Sequence, residues 1–414
     1  MEVINMYIKK RLLLCLLVIS SIMTLTGCLE PVEINKLGIV AGIAIDKEDD
    51  KYIVTTQVIN PSAIAGESQG ALPVYSLKAE GESIHEAYKK LDQITSFTSS
   101  LSHLNAIVIN EELAKAGISP LLNFALRRFD IRPDIAILVA KDESAGDILN
   151  VLTAIDMIPS VKMNISSRVS SRTQRLTSYN LYQVVDMVNT DSINVVLNAI
   201  SIYHEEEHLD KNIERKDGTE GKTASKGSTI DNILDVAAPV QLRIEHLAVF
   251  QGDKITGFID DHEAQLYNMV MGAPKRYDIV TRIEKDYYTS LGVTQTKSKI
   301  TTDLANNEAT IKMKLTGMIF ENTYPIDFTN EENLVAISEH LKSHFEQDIS
   351  DFVDKVQTEL KSDIFGIGGK AHAQESKIWK EKEGYWSELF PELTINIEIE
   401  LEIDSVGEIG NVTL

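Results

Sequence analysis

Four short stretches carry residues whose types and spacing could do chemistry, and the first is Leu25-Thr26-Gly27-Cys28. It closes a run that begins at Lys9, Lys10 and Arg11 and continues through an apolar core from Leu12 to Met23. A basic segment, about a dozen apolar residues and a small-residue cleavage site make a secretory signal peptide. The apolar run is shorter than the ~20 residues a membrane-spanning helix needs. A cysteine directly after Leu-Thr-Gly reads as a bacterial lipobox. The Cys28 thiol is then expected to take a diacylglyceryl group, the chain to be cut between Gly27 and Cys28, and the new N-terminus to be acylated. Those acyl chains are the one non-protein group expected; no metal or other cofactor is.

The other three stretches are weaker. His204 and His208 stand four apart around Glu205, Glu206 and Glu207, types that bind divalent metals, but nothing nearby supplies the supporting shell of a metal site. Asp260-Asp261-His262-Glu263 has acid–base residue types, yet its order fits the cap of a following helix better. Gly366-Ile367-Gly368-Gly369 follows a helical stretch, so it is expected to end that helix and not to cradle a phosphate. No P-loop or zinc-ligand spacing occurs, and Cys15 lies inside the signal peptide. No nucleophile is read beside a plausible base, so no catalytic residue is expected, and no ligand-binding residue is identified.

Composition bounds the rest. The chain has 414 residues, 43% apolar and 25% charged, an ordinary globular composition with room for two or three domains. Its formal net charge is −22, and loss of the leader makes it more negative, since Lys9, Lys10 and Arg11 leave with Glu2 alone. Such a surface repels the phosphates of nucleic acid and of anionic lipid. Membrane contact is then expected through the acyl chains and through protein partners. Without Cys15 no disulfide can form within the chain, so a hydrophobic core has to hold the fold.

Periodicity supplies the elements that hold these residues. Leu37 to Ile45 and Tyr52 to Asn60 read as a hairpin around the charged turn Asp46 to Lys51. Pro61 to Pro73 reads as a surface loop. Ser83 to Leu91 is helical, with Ser83 as N-cap and Glu86 completing a capping box. Strands at Ala106 to Ile109 and Ile135 to Ala140 alternate with helices at Glu111 to Ala116, Pro120 to Arg128 and Asp142 to Leu152. Ile193 to Tyr203 is strand-like, and Val240 to Phe250 pairs with Lys254 to Ile259. Between them, 204–232 has almost no large apolar residue and is expected to be a disordered insertion.

The last third is the clearest. Ser298 to Thr302 and Ala309 to Phe320 read as strands. A long helix then runs to about Ile364, with Leu334, Ile337, Leu341, Phe345, Ile349, Phe352, Val356 and Leu360 on one face. Thr329 and Glu332 are expected to cap its start, and Gly366 to stop it. From Leu393 to Asp404 apolar and acidic residues alternate, so one face meets a core and the other meets water. Lys312 and Lys314 are expected beside Glu398 and Glu400 to relieve that acidic stripe. The architecture expected is α+β: signal peptide 1–27, an α/β-type domain 28–190, a β-rich middle domain 191–265, a C-terminal domain 266–404 and a tail 405–414. The C-terminal sheet is expected to be antiparallel and crossed by the long helix.

Taken in order, Cys28, Glu33-Ile-Asn35, Gly38 to Asp46 and Gln57-Val-Ile-Asn-Pro-Ser62 resemble the opening of the Ger(x)C spore germination lipoproteins. Ser102-His103-Leu104, Val108 to Leu113, Ser119 to Leu122, Arg132-Pro-Asp134 and Leu138 to Lys141 continue the likeness. Ala248 to Lys254, Gly257 to Asp261, Asp363 to Gly368, Trp379, Trp386 and Phe390-Pro391 complete it. Leu29 departs from the pattern, where the family often has Trp. The resemblance implies the C subunit of a nutrient germinant receptor, working with membrane-embedded A and B subunits on the outer face of the inner spore membrane. From another class, a solute-binding lipoprotein of a transporter would share the anchor but require two lobes of parallel sheet around a cleft.

Overall fold

Strand-forming runs and amphipathic helices assemble into two sheets in the computed structural model, which describes residues 6–7, 10–17, 20, 37–67, 70–153, 156–173, 176–204, 240–272, 277–284, 287–325 and 330–405. Strands β1 (Leu37–Glu48) and β2 (Lys51–Ile59) make the expected antiparallel hairpin. Its turn is tighter than the charge pattern suggested. Asp46 stays in β1 and is buried, and only Asp49 and Asp50 remain outside the ladder, with Asp49 at φ 50°. β3 (Val74–Gly81) pairs with β2, and the short β4 (Thr98–Ser100) runs parallel to the start of β1.

On the other edge of β1 lie the parallel strands β5 (Ala106–Ile109), β6 (Ala136–Ala140) and β7 (Val196–His204). The antiparallel β8 (Val240–Gln251) and β9 (Lys254–Ile259) then close a nine-stranded sheet ordered β3-β2-β1-β5-β6-β7-β8-β9, with β4 off that path. Segment 191–265 therefore has no sheet of its own among the described residues. Its strands carry complementary alternation to β6 and extend the first sheet, which corrects the expected middle domain.

Helices cover both faces of that sheet. α1 (Ile84–Leu91) buries Ile84, Ala87, Tyr88 and Leu91, the spacing of one helical stripe. Ser83 accepts the Glu86 N–H as expected, whereas the Glu86 carboxylate reaches back one residue further, to the Glu82 N–H. α2 (Glu111–Ala116), α3 (Ser119–Leu126) and α4 (Ala145–Asn150) follow close to their expected positions. α5 (Pro159–Thr173) and α6 (Leu181–Val188) were not expected; α5 is rich in serine and has no clean apolar stripe to betray it.

The second sheet is β10 (Tyr277–Glu284), β11 (Tyr287–Asp303), β12 (Glu308–Asn322) and β13 (Thr394–Ser405), in that order. α8 (Glu331–Lys355) crosses it, one element after α7 (Asp261–Val270). Ile337, Leu341, Phe345, Ile349, Phe352, Val356 and Leu360 are all buried, as their spacing required. Asn330, not Thr329, caps this helix; Thr329 lies outside the described residues. A π-turn at Val356–Leu360 ends it, and Lys361 takes the left-handed conformation at φ 50°.

One feature of this sheet differs from expectation. β13 runs parallel to β12, with Lys312 opposite Glu398 and Lys314 opposite Glu400. The helix returns the chain to the end of the sheet where β12 began, and a strand starting there can only point the same way. The α+β class and the crossing helix stand; the sheet is mixed. The two halves share one core, because Val196, Leu247, Val249 and Ile259 of the first sheet pack in the same cluster as Phe345, Phe352 and Trp386.

Candidate functional site

Two buried carboxylates each organise a helix start. In the first half, Asp46 accepts the Ala145 N–H at 2.7 Å and the Gly146 N–H at 3.0 Å, where α4 begins. Burial raises its pKa above the ordinary carboxylate value, against the pull of those amides. In the second half, Asp363 takes the start of α9 (Ile367–Gln374). Its Oδ1 accepts from the Ile367 N–H at 3.0 Å and its Oδ2 from the Gly368 N–H at 2.7 Å and the Trp386 Nε1–H at 3.0 Å. Burial pushes this carboxyl up to about 6, with the amides and the indole opposing it.

That geometry corrects the glycine motif. Gly366 does not stop the long helix; it stands at φ 67° as the residue before α9, while Gly368 and Gly369 lie within that helix. The anion position at its N-terminus is filled by the protein's own Asp363, so it holds no phosphate. Gly368 is required by close approach, since a Cβ there would sit 2.8 Å from Trp379 Cη2 and from Trp386 Nε1.

Asp363 also lies at the seam between the two halves. Its carbonyl accepts the Asn194 N–H at 2.8 Å, Gly369 N–H donates to Ser192 O at 2.9 Å, and Ser362 Oγ donates to Phe250 O at 2.9 Å. Tyr179 and Tyr267 join hydroxyls at 2.9 Å across the same seam, and burial raises the pKa of both. On its outer side Lys355 Nζ holds Glu263 at 2.7 and 2.8 Å. His262 and His344 flank Asp348 at 3.4 and 3.1 Å.

The other sequence candidates fall as follows. Gly27 and Cys28 lie outside the described residues, as do His208 and the insertion from 205 onward. His204 ends β7, exposed. Asp260 does cap α7, accepting the Glu263 N–H while Glu263 accepts the Asp260 N–H. Among the described residues no group of three or more His, Cys, Asp or Glu side chains could hold a metal. Lys312 reaches Glu398 and Glu400 at 3.5 and 3.0 Å, and Lys314 reaches Glu402 at 2.9 Å.

Two chemical pairings escaped the sequence reading. Ser102 Oγ and His103 Nδ1 lie 3.2 Å apart on an exposed turn, with no carboxylate orienting the imidazole among the described residues. Gly66-Glu67-Ser68-Gln69-Gly70 has the spacing of a nucleophile elbow. It lies between the antiparallel strands β2 and β3, whereas that motif needs a strand-to-helix turn at the head of a parallel sheet.

These features define a two-sheet α+β protein fused through one core. Residues 30–202 match the N-terminal domain of spore germination proteins, and residues 245–407 match the "Spore germination B3/GerAC like, C-terminal" family. The chain belongs to this Ger(x)C family, the C subunits of germinant receptors. It is 27% identical over 417 residues to spore germination protein KC of Bacillus subtilis, covering 96% of each chain. It is 22% identical to the putative spore germination protein YfkR of the same organism, covering 96% of this chain and 98% of that one. The crystal structure of the GerBC protein shares the fold, with a TM-score of 0.50 at 16% identity over 88% of this chain and 97% of that one.

Proposed function

We propose that this protein is the lipid-anchored C subunit of a nutrient germinant receptor, tethered by diacylglyceryl and N-acyl chains on Cys28 and acting with membrane-embedded A and B subunits. The observation that carries the reading is the placement of Leu25-Thr26-Gly27-Cys28 just ahead of a chain that matches both family domains in order. The outer face of the inner spore membrane is the location this reading implies. Among the described residues no helix is long and apolar enough to cross a membrane, so attachment falls to Cys28 or to partners. The two unlike sheets sharing one core do not favour the solute-binding alternative, which needs two similar lobes around a cleft.

The test is Cys28→Ala in spores. Two or three acyl chains, at ~0.8 kcal/mol per buried CH₂, hold a protein on a bilayer, whereas a soluble copy is diluted away from its partners. The variant should fold, lose membrane retention and respond poorly to nutrient, while germinating normally with a trigger that bypasses receptors. Affinity capture of the parent from spore membranes should bring down two multi-pass proteins. A normal nutrient response in the variant, or capture without such proteins, overturns the reading.

A further inference from the structure

The end of the first sheet where β1 begins is unlike the end where it finishes. Leu37 starts β1, and the connections at 60–73 and 92–97 lie at the same end, because Ile59 pairs with Val74 and Leu37 pairs with Thr98. There Leu72 and Ile94 are 57% and 60% exposed, and Ile64 is 40% exposed. Tyr75 meets Phe97 edge-on at 6.3 Å, and the Phe97 ring lies on the bare backbone of Gly38, so the two connections form one surface. Their eighteen described residues hold two charged side chains, Glu67 and Asp92, in a chain that is 25% charged. Asp92 is paired with Lys89.

At the other end of β1 the exposed residues are Glu48, Asp49, Asp50, Glu82, Glu112 and Asp142. Such an end is repelled by anionic headgroups.

Covalent reach decides which end meets a membrane. Nine residue steps separate Cys28 from Leu37 and extend at most ~30 Å. β1 is 12 residues long, or ~40 Å at its rise per residue. A tether fixed to lipid therefore falls short of the acidic end and draws the uncharged apolar end down. We propose that Ile64, Leu72 and Ile94 form a membrane-resting face that inserts among the headgroups of the bilayer holding the anchor. This rests on lipidation of Cys28. With no basic residue in either connection's described part, insertion is driven by apolar burial and does not require anionic lipid.

The experiment uses the full lipidated chain in phosphatidylcholine vesicles containing brominated lipid. Leu72→Trp and Ile94→Trp place a reporter on the face, and Asp50→Trp places one at the acidic end. These positions are exposed, and the native Trp379 and Trp386 are buried at 3% and 2% exposure, giving a background that lipid does not reach. The expected result is flotation with the vesicles and loss of most reporter emission at 72 and 94, with none lost at 50. Flotation without quenching at 72 and 94 overturns the face and leaves the anchor standing. Quenching that appears only when membrane-embedded partners are present means that the surface follows those partners, and also overturns it. Absence of flotation removes the anchor and the face together.

Discussion

Trp386 donates its indole Nε1–H to Asp363 Oδ2 across 3.0 Å, and both residues are buried where the two halves meet. A carboxyl raised to about 6 keeps its proton longer in the fold than in the unfolded chain, where its value is near 3.8. Its contribution is therefore greatest in acid, declines as pH rises from about 4 to about 6, and is flat above. The span of the decline is on the order of 3 kcal/mol. Asp363→Asn removes the titration and leaves one oxygen where three donors converge, so it should destabilise the fold. The stability advantage of the parent over the variant should shrink across that pH window, measured by denaturant midpoints. A difference that stays constant with pH would mean that Asp363 does not titrate there.

Gly368→Ala gives a sign test of the same packing. On an exposed helix position the change would stabilise by up to ~1 kcal/mol. Here the new methyl meets Trp379 and Trp386 at 2.8 Å, both rings being held in the core. Overpacking of this kind costs about 1–3 kcal/mol, so the variant should melt lower and weaken the Trp386–Asp363 contact. An unchanged or raised melting temperature would show that the rings give way freely.

Much of the fold was legible because burial leaves a period in the sequence. The stripe from Ile337 to Leu360 and the alternation from Leu393 to Asp404 each face one core. Strand β11 was legible only at Ser298 to Thr302. Bulges between Ser290 and Leu291 and between Val293 and Gln295 break its alternation elsewhere. The direction of β13 was hidden, since a period of two is the same in parallel and antiparallel pairs. Asp46 and Asp363 were hidden for another reason. Each caps a helix distant in the chain or reached through a turn, and sequence spacing reports only caps at the adjoining residue.

The acidic stripe of β13 offers a third measurement. Lys312 and Lys314 lie beside Glu398, Glu400 and Glu402, and Lys297 and Lys299 pair with them from the other side. Hydrogen bonding and charge from Glu400 raise the pKa of Lys312, and those from Glu402 raise that of Lys314. Reversing both lysines to Glu places like charges directly opposite one another. The melting temperature should fall by a few degrees at low salt and recover partly as salt screens the repulsion. Equal loss at all salt concentrations would assign the effect to something other than charge.

His262 provides a pH dependence of known sign on the outer side of the seam. The hydrogen bond to Asp348 raises its pKa above 6.5, against partial burial, with Asp260 and Glu263 adding to the rise. Burial raises the Asp348 carboxyl, but the hydrogen bond from His262 and the charge of His344 outweigh it, and its pKa is lowered. A histidine raised on folding contributes fully below its unfolded value, and that contribution is lost as pH rises through the folded one. The lowered Asp348 contributes above its unfolded value and is lost as pH falls through the folded one. The pair therefore clasps α7 to α8 most firmly between about pH 4 and about pH 6.5. Both partners are partly exposed, so the contribution is at most ~1 kcal/mol. His262→Gln should cost stability at about pH 5.5 and almost none at about pH 8.5, and Asp348→Asn should abolish that contrast. If the two pH values give the same loss, His262 is already neutral in the fold and its contact with Asp348 is an ordinary hydrogen bond.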